Sequence, residues 1–559
     1  MLHPILDLSS FNIAVTFFGL FGLLYGFISI KIKQRWYLGE ALPSFVVGTL
    51  LGPFCADLID VHRWAGDDVG ALTYVSKGAT TRMALTRLVI GIQMVKVGYE
   101  LPNRYLRLRL VELMICLLPL MTISWIITSC FILLMIPKIS FLGALIIGSC
   151  VICIDPVLSQ AIAKGPFADK YVRRYLREFI SAEAGGNDGF GFPFLLLSIA
   201  LLRYNSSPEG NTSGLDWIGE KDTGRFGGDA GRALAHWAVE GLLYMVVLGS
   251  GYGLLVGFLS RKGLSLASKR GWIDKESFLL FPVAIGMFVV GTCGCFGSDE
   301  TLACFIAGCA LNWDGMYHSE IEARHDSFNN TIETTLNYGS FLFIGVVMPW
   351  DQFHSPEVTG ITVSRLVSLG ILIVLFRRIP AILLGYRFMQ KVCSDWKEAL
   401  FMGYFGPIGL GAISYVEYAR RLLPDPGESD KEINDLTRAI APVVYWLVFF
   451  SIIFHGLSIP ILNGIYRLLR VATIKDHPVD VILLSENEPI PNNSVVHRDA
   501  HSVTVNNRFS CISNQTQLLR GHQELDMIRL RESQSDEVPI SRISSKESSN
   551  HCEQARDVV

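Results

Sequence analysis

The sequence predicts an all-α protein that crosses a membrane many times. Half of its 559 residues are hydrophobic, only 18% are charged, and apolar runs of membrane-spanning length recur along the chain. About 20 apolar residues span a bilayer as a helix, whereas soluble chains carry about 25% charged residues. The composition therefore excludes a soluble enzyme, a disordered chain and a nucleic-acid-binding protein as the main body. The net charge of −3 indicates no polyanionic partner.

Thirteen apolar runs are candidate membrane helices, of which 299–312 and 334–348 are short. In chain order the runs are 11–30, 37–56, 80–101, 110–136, 139–163, 178–202, 233–260, 277–296, 299–312, 334–348, 361–384, 398–420 and 438–466. No basic segment precedes the first run, so we expect it to be retained as a membrane helix and not cleaved as a signal peptide.

The charges of the connecting loops predict an orientation. Five odd-numbered loops are rich in Lys and Arg, as cytoplasmic loops usually are, and only the ninth breaks the pattern. The second and twelfth loops are acidic, and the sixth carries glycosylation sequons at Asn205 and Asn211. We therefore expect the N-terminus on the outer side and the C-terminus in the cytosol.

The chain divides into two parts by composition. Residues 1–470 contain every apolar run, whereas 485–559 is rich in Ser, Asn, Glu and Arg. Such a composition cannot bury enough apolar surface to fold alone. We expect a transmembrane domain over 1–470 and a cytosolic, mostly disordered tail over 471–559. A regulatory role of the tail is the alternative to a simple solvated extension.

The fifth run, SCVICIDPVLSQAIAKG, contains an acid beside a proline, Asp155-Pro156. Proline removes a backbone donor and interrupts a helix. An acid within a membrane helix is costly and marks function, and the carbonyls freed by a break can coordinate a cation. The run therefore predicts a discontinuous helix with a cation-binding acid, with a simple kink as the alternative.

The sixth run, EFISAEAGGNDGFGFPFLLL, carries three polar side chains close together. Glu183 and Asn187 are four residues apart and share a helix face, and Asp188 follows directly. Hard oxygen ligands suit alkali and alkaline-earth cations. We predict that Na⁺ or K⁺ binds at Asp188 and Glu183. The alternative places both acids in water at the start of the helix.

The twelfth run, ALFMGYFGPIGLGAISYV, is interrupted at Gly406-Pro407. If helices 1–6 and 8–13 are two repeats, each break falls in the fifth helix of its own repeat. The offset of seven helices is odd, so the repeats run through the membrane in opposite senses. The sequence thus predicts two inverted repeats with crossed discontinuous helices, a pattern that marks the central site of secondary transporters.

Two arginines, Arg377 and Arg378, interrupt the eleventh run. A buried arginine needs a carboxylate or a carbonyl partner. A bridge to Glu183, to Asp155 or to the ends of the half-helices would supply one. The alternative is that the side chains reach to the membrane surface.

Asp299 and Glu300 open the ninth run, after GTCGCFGS. Either they cap a helix that begins in water, or they line an ion entrance. The sequence contains no Gly-x-x-x-x-Gly-Lys-Ser/Thr motif, which argues against an ATP-driven pump of that kind. It offers no nucleophile–base pair or histidine-rich set, so we do not expect an enzyme.

The chain resembles the fungal plasma-membrane sodium/proton antiporters of the monovalent cation:proton antiporter-1 family. The matching stretches are LGEALPSFVVGTLLGP, IDPVLSQAIAKG, AEAGGNDGFGFPF, SDETLACFIAGCALNWDG, FRRIPAILL and GYFGPIGLGAISY. They cover most of the predicted membrane body. The resemblance implies the sodium/proton antiporter fold, a plasma-membrane location, a homodimer and an elevator-like movement of the core domain.

The resemblance also implies roles for single residues. Asp188 would be the main cation- and proton-carrying carboxylate, supported by Glu183 and Asn187. The other implied residues lie at the crossing of the discontinuous helices, where Asp155 occupies the unwound segment and Arg378 or Arg377 balances charge. Asp299 and Glu300 match an acidic pair that is usually Asp-Asp in the family.

Two positions depart from the family pattern. Ile154 replaces the usual Thr before the Asp-Pro, and Ala184 replaces the usual Ser after the Glu. Both changes remove a hydroxyl oxygen near the expected cation, although the backbone carbonyl of Ile154 remains a candidate ligand.

The resulting hypothesis is exchange of cytosolic Na⁺, with K⁺ and Li⁺ as further candidate cations, for external H⁺ in alkali-cation and pH homeostasis. No cofactor is expected. The expected partners are these ions, membrane lipid and a second copy of the chain. Two alternatives stay open: a non-transporting or weakly transporting membrane sensor, and a carrier coupled to another solute.

Overall fold

The computed structural model describes residues 10–59, 71–163, 166–205, 224–323 and 328–471, together with three short segments further along the chain. The helices of the first half are α1 (Ser10–Ile30), α2 (Ala41–Leu51), α3 (Ala71–Glu100), α4 (Tyr105–Leu108), α5 (Leu110–Ile115), α6 (Met121–Met135), α7 (Phe141–Val151), α8 (Pro156–Ala163), α9 (Pro166–Tyr171), α10 (Arg174–Phe190) and α11 (Phe192–Arg203). Those of the second half are α12 (Ala230–Trp237), α13 (Gly249–Lys269), α14 (Lys275–Phe296), α15 (Glu300–Leu311), α16 (Met316–Ala323), α17 (Phe328–Val346), α18 (Val363–Phe376), α19 (Ile379–Gly385), α20 (Trp396–Tyr404), α21 (Leu410–Leu422) and α22 (Lys431–Leu468).

Every one of the thirteen predicted runs contains helix. Among the described residues, seven helical stretches are long and apolar enough to cross a membrane. They are Asn12–Ser29, Leu110–Met135, Arg174–Arg203, Ala230–Lys269, Lys275–Phe296, Val363–Phe388 and Lys431–Leu468. The other six runs fall below this length or hydropathy because their helices are interrupted, short or partly polar. The prediction of an all-α protein with many membrane helices is confirmed for the described residues up to 471.

Wide helical turns join some of these helices into longer rods. The stretch Cys116–Leu120, which contains Pro119, links α5 to α6, and Ala238–Leu248 links α12 to α13. Proline within a helix leaves one carbonyl without its usual donor. A local widening of the helix accommodates Pro119 here, and the helix continues beyond it into α6.

The central helices are α10 and α11, most of whose residues are buried. Helix α10 packs against α8, α15 and α3, and α21 packs against α3, α7 and α22. The first helix, α1, is the opposite case, because most of its apolar side chains face outward. Glu183, Asn187 and Asp188 of α10 are therefore screened from the surroundings by neighbouring helices.

Three short strands lie in the region predicted as a disordered tail. They are β1 (Asp480–Leu483), β2 (Ser494–Val496) and β3 (Ser502–Val505), and they form an antiparallel sheet in the order β1–β3–β2. Clusters of Val and Ile, which favour strands, explain them. The average composition of the tail concealed these clusters. The remainder of the predicted disordered tail beyond residue 471, and the sequon asparagine Asn211, lie outside the described residues.

Candidate functional site

The two helices predicted to be discontinuous are broken and meet at their breaks. Residues 152–155 separate α7 from α8, and residues 405–409 separate α20 from α21. The backbone N–H of Asp155 donates to the carbonyl of Pro407 at 2.9 Å. The breaks predicted at Asp155-Pro156 and Gly406-Pro407 are confirmed, and they extend over several residues, so neither is a simple kink.

Asp155 caps two helices at once. One carboxylate oxygen accepts from Leu158 N–H at 2.9 Å, and the other accepts from Leu410 N–H at 2.7 Å. These N–H groups belong to the first turns of α8 and α21, where helix donors lack internal partners and the helix dipole is positive. A side chain at Gly409 would collide with this carboxylate. The charge of Asp155 is thus stabilised by backbone N–H groups at the crossing of the two helices.

Arg377 makes the complementary contacts at the opposite ends of the half-helices. Its guanidinium donates to the carbonyl of Val151, the last residue of α7, and to the carbonyl of Gly406, just beyond α20. Such carbonyls lack helical partners and lie at the negative end of the dipole. The crossing therefore holds an acid at its two N-terminal ends and an arginine at its two C-terminal ends.

Arg378 takes a different partner, Glu183 on α10. The Nη2 atom of Arg378 lies 2.7 and 2.6 Å from the two carboxylate oxygens of Glu183. Arg378, Glu183 and the neighbouring Arg377 are all buried. Neither arginine therefore reaches the membrane surface, and Glu183 does not lie in water. The charge of Glu183 is balanced by this ion pair.

Asn187 ties α10 to the first unwound segment. Its Oδ1 accepts from Ile154 N–H at 2.9 Å, and its Nδ2 lies 3.3 Å from the sulfur of Met121. The side-chain amide thus replaces a helical partner that Ile154 lost at the break. The structure gives Asn187 a bracing contact where the sequence suggested only support for an ion.

Asp188 is buried without a counter-charge. It is 1% exposed, and neither carboxylate oxygen has a hydrogen-bond partner among the described residues. It lies against the first turn of α21, where a side chain at Gly411 would collide with Oδ1. Burying an unpaired carboxylate is strongly unfavourable unless a proton or a cation neutralises it. Asp188 therefore has the chemistry of a cation- or proton-binding group.

Asp299 caps a helix, as one of the two sequence interpretations proposed, but it does so away from water. Its Oδ1 accepts from Thr301 and Leu302 N–H at 2.9 and 3.1 Å, and only 1% of the residue is exposed. Glu300 forms an ion pair with Arg87 on α3. The interpretation that this helix begins in water is therefore wrong, because the capping residue is buried.

Sequence reasoning missed Tyr415, which contacts the backbone at Asp188. The hydroxyl of Tyr415 donates to the carbonyl of Asp188 at 2.7 Å and lies 3.3 Å from that of Gly189. Tyr415 and Gly411 are one turn apart, and this spacing was the available signal that both face α10.

The described residues contain no group of three or more His, Cys, Asp or Glu side chains placed to hold a resident metal ion.

Comparison with known proteins gives a consistent result. An Na⁺/H⁺ antiporter 2 of Zygosaccharomyces rouxii is 29% identical over 85% of this chain and 55% of its own length. An Na⁺/H⁺ antiporter of Saccharomyces cerevisiae is 30% identical over 82% and 44%, and a probable one of Schizosaccharomyces pombe 34% over 81% and 56%. The chain thus spans about half the length of these three relatives. A second S. pombe antiporter is 31% identical and is covered over 91% of its length.

The fold has solved counterparts. The structure of the sodium proton antiporter MjNhaP1 from Methanocaldococcus jannaschii at pH 8 superposes with a TM-score of 0.54 at 15% identity, over 82% of this chain and 99% of that one. Residues 14–463 match the family model described as the transmembrane sodium/hydrogen exchanger. The chain belongs to the sodium/hydrogen exchanger family.

Proposed function

We propose that the protein exchanges cytosolic Na⁺ for external H⁺ across the membrane, with K⁺ and Li⁺ as further candidate cations. The observation that carries the proposal is the carboxylate of Asp188, which is buried beside the crossing and has no hydrogen-bond partner in the described part of the chain. The names of the four fungal relatives support the same activity.

The physical basis is competition for one carboxylate. A charged, empty site is expensive to move through a low-dielectric barrier, whereas a site neutralised by a proton or a cation is not. Asp188 therefore moves through this barrier only when a proton or a cation is bound to it. The proton and the cation bind to it alternately. This asymmetry couples their fluxes without ATP.

The surrounding residues have distinct proposed roles. Asp155 and Arg377 hold the crossing through backbone N–H and carbonyl groups, and Arg378 neutralises Glu183. Glu183 then supports α10 beside Asp188 through this ion pair. The remaining ligands would be neutral oxygens, including the carbonyl of Ile154. Asp299 and Glu300, near the start of α15, are proposed to lie along the ion entrance.

We further propose a plasma-membrane location, a homodimer embedded in lipid and a cytosolic C-terminal tail. The basic odd-numbered loops support the orientation. The family and the names of the fungal relatives support the transport activity on which this arrangement depends.

The test is cation flux in proteoliposomes and salt tolerance in antiporter-deficient yeast, for the wild type and Asp188→Asn. We expect pH-dependent exchange and tolerance in the wild type, and loss of both in Asp188→Asn at equal membrane abundance. Equal flux in the two proteins would exclude Asp188 as the carrier. A wild type without any flux would favour a sensor, and a flux that requires another solute would favour a different carrier.

A further inference from the structure

The unwound segment 405–409 of the second discontinuous helix is held on two sides. On the side of the crossing, Arg377 binds the Gly406 carbonyl and Asp155 binds Leu410 N–H and the Pro407 carbonyl. Backbone groups buried in a membrane protein must find partners inside the protein. Two further backbone groups, the N–H of Ile408 and the carbonyl of Tyr404 just before the segment, face α22.

Two side chains of α22 supply those partners. The Oγ atom of Ser451 accepts from Ile408 N–H at 2.7 Å. One turn further, Nε2 of His455 lies 3.2 Å from the carbonyl of Tyr404, the last residue of α20. His455 and Ser451 are buried, 4% and 1% exposed. They bind the segment near its two ends, one carbonyl and one N–H.

The two side chains are also joined to each other, since Nδ1 of His455 lies 3.1 Å from Oγ of Ser451. One assignment of protons satisfies the whole chain: Ile408 N–H donates to Ser451 Oγ, whose hydroxyl donates to Nδ1, and Nε2–H donates to the Tyr404 carbonyl. In this assignment the imidazole is neutral with its proton on Nε2, and Nδ1 also lies 3.1 Å from the Ser451 carbonyl.

The packing on this side leaves a small void. A cavity of about 10 Å³, with room for about one water molecule, is lined by Gly406, Ile408, Ser451 and His455 together with parts of α18 and α20. The hydrogen bonds from Ser451 and His455 therefore hold the segment against α22 at a place where its packing is incomplete. The segment in turn leads into Gly411, which contacts the Asp188 carboxylate.

We propose that His455 and Ser451 are positioning residues that hold the unwound segment 405–409 and thereby set the apparent affinity of Asp188 for the exchanged cation. The part concerning affinity rests on the proposed exchange function. The part concerning position does not, because it follows from contacts between α22 and the segment.

The position is tested by hydrogen–deuterium exchange of the purified full-length protein in detergent, followed in peptides that contain Ile408. Ser451→Ala and His455→Leu should each speed exchange there about tenfold, because a buried hydrogen bond is lost. His455→Gln should stay near the wild type, since its amide N–H can donate to the Tyr404 carbonyl. The matched control is Ser458→Ala on the same helix, which removes hydrogen bonds to the Tyr404 hydroxyl and the Phe454 carbonyl but none to the segment 405–409.

The affinity is tested by the KM for Na⁺ in proteoliposomes, normalised to folded protein. We expect His455→Leu and Ser451→Ala to raise KM by about five- to tenfold and His455→Gln to restore it. Unchanged hydrogen–deuterium exchange at Ile408 in both Ser451→Ala and His455→Leu would overturn the proposal. A His455→Gln variant with a KM for Na⁺ as high as that of His455→Leu would also overturn it. Ser451→Ala, the smaller change, decides the matter if His455→Leu does not accumulate.

The two parts can fail separately. If the wild type carries no cation, the exchange function fails, and the deuterium measurement still decides whether α22 holds the segment. If the wild type transports and the segment loosens without any change in KM, the link to affinity is overturned.

Discussion

Arg378, at the junction between α18 and α19, forms a buried ion pair with Glu183 of α10, with Nη2 2.6 Å from Oε2, while the adjacent Arg377 binds only backbone carbonyls among its described contacts. Two neighbouring arginines thus perform different tasks. One neutralises an acid of α10, and the other occupies the C-terminal ends of the broken helices. Removing Arg378 would leave Glu183 without this partner, and removing Arg377 would leave those helix ends without theirs.

The first prediction concerns this ion pair. Arg378→Leu should destabilise the folded protein by about 3–5 kcal/mol, because it leaves Glu183 charged and buried. The double variant with Glu183→Leu should recover much of that loss. Thermal unfolding in detergent measures both, and Lys391→Leu, whose side chain is 75% exposed, is the control. A double variant as unstable as Arg378→Leu alone would show that the pair is not the source of the effect.

The second prediction concerns the contact between α21 and Asp188. Gly411→Ala places a methyl group against Oδ1 and should reduce Na⁺ flux at least about tenfold, because overpacking of about 1–3 kcal/mol falls directly on the site. Gly464→Ala on α22 is the matched control, since a side chain there meets nothing within 4 Å. Equal flux in the two variants would contradict the close approach.

The third prediction concerns the missing hydroxyl at position 154. Ile154→Thr should give faster transport or a changed Na⁺/K⁺ preference, because it adds a hard oxygen beside Asn187 and the unwound segment. Competition of K⁺ with Na⁺ flux in proteoliposomes measures the preference. Ile152→Thr, at another buried position of the same segment, controls for polarity alone. An Ile154→Thr variant that behaves like the wild type would mean that this side chain does not face the ion.

The fourth prediction is the pH dependence of cation affinity. If a proton and Na⁺ compete for Asp188, raising the pH on the binding side should lower the apparent KM for Na⁺, by at most about tenfold per pH unit for one competing proton. The effect should level off once the carboxylate is free of protons. Initial rates at fixed voltage and several Na⁺ concentrations measure it. A KM independent of pH would rule out a shared site.

The sequence was sufficient for features encoded locally. Asp155-Pro156 and Gly406-Pro407 marked the two breaks because proline and glycine act on their own backbone. The pairing of Arg378 with Glu183, and of Asn187 with Ile154 N–H, depends on which helix faces meet over long sequence distances. Several partners were equally suitable for a buried arginine, so its choice could not be assigned without the fold.

Two differences have simpler causes. Helix α22 begins at Lys431, seven residues before the apolar run, because Asp430 caps it by accepting from Ile433 N–H at 3.0 Å. Charged first turns of this kind are silent in a hydropathy pattern. The sequence analysis did not predict the three strands, because their few clustered valines lie in a region whose average composition is polar.

The hydrogen bond between Asp155 and Leu410 joins residues 255 positions apart. At about 5–20 residues per second, a ribosome takes tens of seconds to make the second after the first. During that interval the acid has entered the bilayer region while one of its two caps has not been synthesised. The fifth span is therefore a poor membrane segment by itself during biogenesis, and a nascent chain stopped before residue 410 would expose an incomplete helix to quality control.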